Sequence, residues 1–270
     1  MPEINAKDVM KLRNKTGLPM MACKAALAEA DGDAEKAEDI LRKQLKGKME
    51  TKLDRAAGEG RVAIAVDAGN AAIVEVRAET DFTAKNDRFI SATDQVAQLA
   101  LQAPAGEISP TDEMKAQVDD VRISTGENAS IARAHKIEGG SGAKFGKYVH
   151  HDGKTGVLIH AEGDVSDETL RQICMHVTAA VPRPLGVSAD DIPAEMTERE
   201  RRFRIETAME SGKPKEIAEK MVEGGMSKFF AEVALLEQNF VMDPSKKVKD
   251  LLGSGKIHAF FRWQVGETDA

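Results

Sequence analysis

The chain has 270 residues, 41% hydrophobic and 31% charged, enough apolar material for a packed core and too much for wholesale disorder. Lys and Arg total 38 against 45 Asp and Glu, a formal charge of −7. This excludes a protein whose main work is neutralising phosphate backbones, because counterion release needs clustered cations. Aromatic residues make up only 4%, nine Phe with Trp263 and Tyr148, too few for the stacking platforms of a single-strand binder. No stretch of about eighteen apolar residues could span a membrane, and the N-terminal residues do not resemble a signal peptide. Cys23 and Cys174 are too few and too far apart for a disulfide framework or a structural zinc site. The expectation is a cytoplasmic protein with no direct nucleic-acid partner and no membrane partner.

Residues 1–45 read as three short helices. Ile4 and Val9 bracket Asn5 as a staple around an N-cap, and Gly17 ends the first helix. Pro19 starts the second, which carries Cys23, Leu27 and Ala30 on one face and stops at Gly32. Asp33 caps the third, with Ala37, Ile40, Leu41 and Leu45 at helical spacing. A unit this small has a thin core and suits docking better than catalysis. The charge-dense stretch that follows predicts a linker over 46–59. From Gly60 the period becomes alternating. Residues 61–67 and 71–77 predict two strands joined across Ala68-Gly69-Asn70, followed by a helix with Phe89, Val96, Ala97 and Ala100 on one side. Residues 112–138 look mainly helical and carry Gly126-Glu-Asn128. Strands are predicted again at 145–151 and 156–161, with a helix capped by Ser166 bearing Leu170, Ile173, Cys174, Val177 and Val181. The strand–strand–helix grammar therefore repeats after about 85 residues, an internal duplication. Beyond the breaker-rich joint 182–193, residues 194–211 and 214–230 form a helical hairpin around Ser211-Gly212-Lys213-Pro214. Its apolar positions, Met196, Phe203, Met209, Ile217, Met221 and Met226, suit packing on another subunit or on its own domain. The tail, 257–265, returns to strand character.

Catalytic machinery needs converging titratable groups, and the sequence shows few. Residues 141–148 resemble a phosphate-binding loop, but Ser141 stands where its first Gly belongs and Tyr148 replaces the magnesium-binding Ser or Thr. A glycine-rich connector entering a strand is the better reading. His150 and His151, adjacent on a strand, point to opposite faces, while His160 lies across from one of them, a possible pair without a clear third ligand. Cys174 sits on an apolar stripe as a buried, inert thiol, and diverges from His176. No catalytic residue, metal or cofactor is expected. The segment Ala78-Glu-Thr-Asp-Phe-Thr-Ala-Lys-Asn86, where a strand becomes a helix, allows two readings. Thr80 or Asp81 caps the helix while Phe82 folds onto the core, or an acid and a large aromatic are presented on a turn for a partner.

Taken together, the motifs resemble the elongation factor Ts family. Near the N-terminus stands Leu12-Arg13-x-x-Thr16-Gly17-x-x-Met20-Met21-x-Cys23-Lys24-x-Ala26-Leu27, similar to the family's opening signature. Thr80-Asp81-Phe82-Thr83-Ala84-Lys85-Asn86 matches its hallmark, with Thr83 in place of the usual Val. Tyr148-Val-His150-His-Asp-Gly-Lys-Thr-Gly-Val-Leu158, Met175-His176-Val177, Ser211-Gly-Lys-Pro214, Ile217-Ala-Glu-Lys-Met-Val-Glu-Gly224 and Phe240-Val241-Met242-Asp243-Pro244-Ser245 follow in family order. Departures fall at Thr125, where members often carry Ile, and at Lys154-Thr155.

The resemblance implies an α+β fold with a ubiquitin-associated-like helical domain at 1–45 and the linker 46–59. It also implies a core subdomain at 60–139, a second one at 140–187 plus 236–270, and an inserted coiled-coil hairpin at 188–235 tied to dimerisation. The two subdomains are duplicated antiparallel sheet-plus-helix units, with the C-terminal strand returning to the second sheet. The implied function is guanine-nucleotide exchange on elongation factor Tu, without covalent chemistry. By position, Lys24 would touch the partner's nucleotide-binding domain, and Asp81 and Phe82 would insert beside its magnesium and phosphate region, flanked by Thr80 and Thr83. Gly126 and His150 would belong to the core contact surface, and Val241 and Met242 to more C-terminal contacts. Two other classes stay open: a protein-binding adaptor using the N-terminal helical module, and a metal-dependent hydrolase built on His150 and His160, which would require zinc.

Overall fold

The computed structural model describes residues 4–50, 54–212 and 214–267. The chain divides into two compact units, one of Met1–Ala65, Ala72–Lys136 and Gln264–Ala270, the other of Val66–Ala71 and Ile137–Trp263.

The first unit begins with three helices, α1 (Ala6–Thr16), α2 (Met20–Glu29) and α3 (Ala34–Glu50). Asn5 caps α1 by accepting from the Lys7 N–H at 2.9 Å, and Gly17 closes it in the left-handed conformation. Asp33 caps α3 through bonds from Glu35 and Lys36. Val9, Leu12, Cys23, Ala26, Leu27, Ala37 and Leu41 make the small core of this module. Helix α3 reaches Glu50, inside the stretch expected to be linker; residues 51–53 of that stretch lie outside the described residues. The cause is local: residues 43–50 are mostly strong helix formers, so the helix propagates through them.

Strands β1 (Glu59–Val66) and β2 (Asn70–Ala78) form the predicted hairpin, and two helices follow, α4 (Asp81–Ala84) and α5 (Asp87–Ala100). Then come β3 (Gly106–Glu107), α6 (Asp112–Thr125) and β4 (Ala129–Glu138), in a sheet ordered β1-β2-β4-β3. The helical expectation for 112–138 holds only to Thr125. The rest is strand β4, which pairs antiparallel with β3 through Gly106↔Lys136 and Glu107↔His135. Its Ala, Arg and Lys favour helix locally, and the open ladder position beside β2 overrides that preference. Phe89, Ala92, Val96, Ala97 and Ala100 of α5 pack against Val74 and Val76 of β2 and Met114, Val118 and Val121 of α6. The helical module is tied to this layer by polar bonds. Arg42 pairs with Asp120 at 2.7 Å, and the Arg88 guanidinium donates to the Thr16 carbonyl at the C-terminus of α1.

The second unit repeats the pattern. Strands β5 (Lys144–Val149) and β6 (Thr155–Glu162) are antiparallel, and α7 (Asp167–Ala179) is capped by Ser166 and packs on them. Val157, Ile159 and Ala161 meet Leu170, Ile173, Cys174 and Val177. Gly146 allows the close approach, since a Cβ there would lie 2.8 Å from that of Leu170. Helices α8 (Ala194–Glu210) and α9 (Lys215–Val233) form the hairpin; Lys213, in its expected turn, lies outside the described residues. Met226 is buried, whereas Met196, Phe203, Met209, Ile217 and Met221 are exposed. After it come the small hairpin β7 (Asn239–Phe240) and β8 (Asp243–Lys247) and the strand β9 (Lys256–Gln264), which joins the sheet in the order β5-β6-β9. No helix among the described residues is long and apolar enough to cross a membrane.

Candidate functional site: an aromatic held outward on a strand-to-helix turn

From Glu79 to Asn86 each residue has a distinct place in the strand-to-helix turn. Thr80 leaves the end of β2 in extended conformation and caps α4, its hydroxyl accepting from the Thr83 N–H at 3.3 Å. Asp81 pairs with Lys85 one turn on, at 2.7 Å. Thr83 and Ala84 point inward and are buried. Asn86 caps α5 by accepting from the Arg88 N–H at 2.9 Å. With these neighbours committed to caps, an ion pair and the core, Phe82 faces outward at 83% exposure, whereas Phe89, Phe240 and Trp263 are buried and most other aromatics are half-buried. Of the two sequence readings, the caps are right and the core placement of the ring is not.

A second segment braces the turn. Gly126 ends α6 with φ 73°, a left-handed conformation that favours glycine, and its N–H donates to the Arg122 carbonyl at 2.8 Å. That reversal delivers Glu127 to Thr80: the carboxylate accepts from the Thr80 hydroxyl at 2.8 Å and from its N–H at 3.2 Å. In return the Glu79 carboxylate accepts from the Asn128 N–H at 2.6 Å. Two carboxylates thus clamp the two segments reciprocally, with charge-assisted bonds roughly twice as strong as neutral ones. Thr125 joins in, its hydroxyl donating to the Val121 carbonyl and accepting from the Glu127 N–H.

The other expected residues lie elsewhere. Lys24 is exposed on α2 beside Met20 and Met21, outside the buried face that carries Cys23, Ala26 and Leu27. His150 sits in the second unit, half-buried in the β5–β6 turn, with its Nδ1 3.2 Å from the Asp152 carboxylate. Burial pushes that carboxyl's pKa up, and the Lys154 N–H with the His150 ring outweighs it, leaving Asp152 below its ordinary value. Val241 and Met242 form the β7–β8 turn, 42% and 49% exposed.

The histidine readings need correction. His150 and His151 lie past the end of β5, and their rings approach to 4.2 Å instead of pointing apart. His160 pairs with Phe145, stacked at 5.3 Å, about 16 Å along the strand from His150, so these two cannot share a metal. No group of three His, Cys, Asp or Glu among the described residues is placed to hold one. In the 141–148 segment, β5 starts at Lys144, so Gly146 and Lys147 lie within a strand, whereas in a phosphate loop they would open a helix. Cys174 is buried, and burial raises its thiol pKa far above normal. The sequence marks the 78–86 segment, the Gly126-Glu-Asn128 triplet and the Met175-His176-Val177 motif, but nothing in it assigns Glu79 and Glu127 as braces or pairs His176 with Val241.

Comparison with known proteins gives one family. The family model described as Elongation factor TS matches residues 79–267. A curated protein named Elongation factor Ts from Actinobacillus pleuropneumoniae serotype 3 (strain JL03) is 44% identical over 273 residues, spanning 99% of this chain and 93% of that one. Proteins of the same name from Photorhabdus laumondii and Haemophilus ducreyi are 42% and 43% identical, each over 99% of this chain and 94% and 93% of their own length.

Proposed function

The chain belongs to the elongation factor Ts family, and we propose that it acts as a guanine-nucleotide exchange factor for elongation factor Tu by wedging Asp81 and Phe82 beside the partner's magnesium and phosphate region. The observation that supports the wedge most directly is the outward Phe82 on a clamped turn. An exposed aromatic on a freely moving loop would lose conformational entropy on docking, and the Glu127 and Glu79 bonds reduce that cost beforehand.

Exchange of this kind is differential binding. A factor that prefers the nucleotide-free partner weakens nucleotide binding by the same factor, without covalent chemistry and without touching the nucleotide. A ring that displaces a helix or phosphate loop removes charge-assisted hydrogen bonds of about 1.5–3 kcal/mol each. Losing two of them speeds release roughly 10²- to 10⁴-fold. Thr80 and Gly126 set the position of the turn, and buried Thr83 supports it from below. Lys24, His150, Val241 and Met242 supply separate docking contacts. The exposed apolar side chains of α8 and α9, Phe203 and Met209 foremost, fit self-association through the hairpin. Its deletion is expected to leave a monomer by sedimentation; an unchanged mass would remove that role.

The test is release of fluorescent GDP from elongation factor Tu with and without this protein. Acceleration that Phe82→Ala abolishes supports the wedge. A plain adaptor working through the helical module would bind without accelerating release.

A further inference from the structure

His176 lies on α7 and is 1% exposed, yet it reaches the surface through its bonds. Its Nδ1 is 3.2 Å from the Val241 N–H, a group that can only donate, so Nδ1 accepts and carries no proton. The proton therefore sits on Nε2, which donates to the Gln238 side-chain oxygen at 3.0 Å. Gln238 cannot turn its amide round, because its NH2 is already committed to the Pro182 carbonyl at 2.9 Å and the Glu232 carbonyl at 2.6 Å. Every donor and acceptor in the chain of bonds is thus fixed by the next. The far end of that chain is the backbone of the exposed Val241–Met242 turn, while the Phe240 ring beside it is buried 5.9 Å from the imidazole.

Filling this interior would need only volume, which an apolar side chain supplies without the desolvation of two ring nitrogens. What the imidazole adds is a directed acceptor at Nδ1 and a directed donor at Nε2. We propose that His176 is a positioning residue for partner binding, acting through the Val241 N–H to hold Val241 and Met242 in the docking conformation, with Gln238 fixing the ring. This inference rests on the exchange-factor reading and extends it to a buried residue that touches no partner.

Two substitutions separate positioning from packing. Both His176→Phe and His176→Asn deprive the Gln238 oxygen of its donor, so both should lower stability to a similar degree. Only Asn retains an oxygen near the Nδ1 position to accept from Val241. The expected result is that His176→Phe strips the Val241 amide of protection against hydrogen exchange and weakens elongation factor Tu binding roughly tenfold, while His176→Asn restores most of both. In a double-mutant cycle, Met242→Ala should cost less affinity in the His176→Phe background than in the native chain, and Phe82→Ala should cost the same in both. Should His176→Phe fail to fold, Gln238→Leu frees the ring without removing it and should weaken binding in the same direction. Equal Val241 protection in all variants, equal losses of affinity for Phe and Asn, or additivity with Met242→Ala would overturn the proposal. A native chain that binds no elongation factor Tu overturns the exchange-factor reading and this inference with it. Native binding with unaffected variants overturns the inference alone.

Discussion

The Phe82 turn of the first unit and the Val241–Met242 turn of the second hold apolar side chains away from the protein by opposite means. The first is clamped near the surface by ionised groups: Glu127 on Thr80, Glu79 on Asn128, and Lys85 on Asp81. The second hangs from the interior by a neutral imidazole whose hydrogen-bond partners are all uncharged. Keeping a hydrophobic group exposed and still requires that the backbone beneath it be over-determined, and either chemistry can do that. They differ in what breaks them: loss of a carboxylate in one, gain of a proton in the other.

The largest effect is expected at the first turn. Phe82→Ala removes a ring that makes little core contact, so it should cut stimulated GDP release by roughly 30- to 100-fold, the range of an interface hot spot, with an unchanged thermal midpoint. A midpoint several degrees lower, with exchange tracking the folded fraction, would show Phe82 to be a core residue. Glu127→Ala should come next. It leaves Thr80 without its brace, costs about 1–2 kcal/mol in denaturant unfolding, and slows exchange less than loss of the ring. If it changed exchange as much as Phe82→Ala, the clamp would be part of the contact itself.

Acid should separate the two turns. Burial lowers the pKa of His176 below its ordinary value, against the opposing bond to Gln238. Cys174 shares the buried side of α7, and the charged side chains nearest in sequence on the facing segment, Glu237 and Asp243, are paired with Lys247 and Lys249 and with Lys246 respectively. Because the folded pKa lies below the unfolded one, the unfolded chain takes up the proton first. The contribution of His176 is therefore flat above about pH 6.5 and is lost as the pH drops from there through the folded value. His135 and His160, also lowered by burial, push the same way. Protonating Nδ1 sets a proton against the Val241 N–H, whereas the residues that clamp the Phe82 turn include no histidine. Amide exchange on a pH series should show Val241 losing protection while the Thr80 amide keeps it. Simultaneous loss would mean global unfolding instead. The smallest effect is expected for His150→Ala, a few-fold in affinity, since the ring is half-buried on a separate hairpin.

Much of this arrangement could be read in the sequence, and the failures have physical causes. Caps are local, so Asn5, Gly17, Asp33 and Ser166 were legible, as was the alternation of β1, β2 and β6. Strand β4 was not, because Ala129–Glu138 owes its conformation to a sheet partner distant in sequence. The reach of α3 to Glu50 is not legible, because dense charge suits a linker and also makes good helix. At the candidate site the motif itself stood out, but the Thr80–Glu127 and Asn128–Glu79 bonds join residues almost fifty positions apart, and His176 meets Val241 across sixty-five. Periodicity cannot see such pairs.

Phe82 is proposed to drive nucleotide release without chemistry of its own. Stopped-flow release of fluorescent GDP from elongation factor Tu, comparing the native chain with Phe82→Ala at matched folded concentration, tests it most directly. The account predicts that the native chain accelerates release, and that the variant still binds elongation factor Tu but loses most of the acceleration. A native chain that leaves release unchanged, or a variant as fast as native, would contradict it.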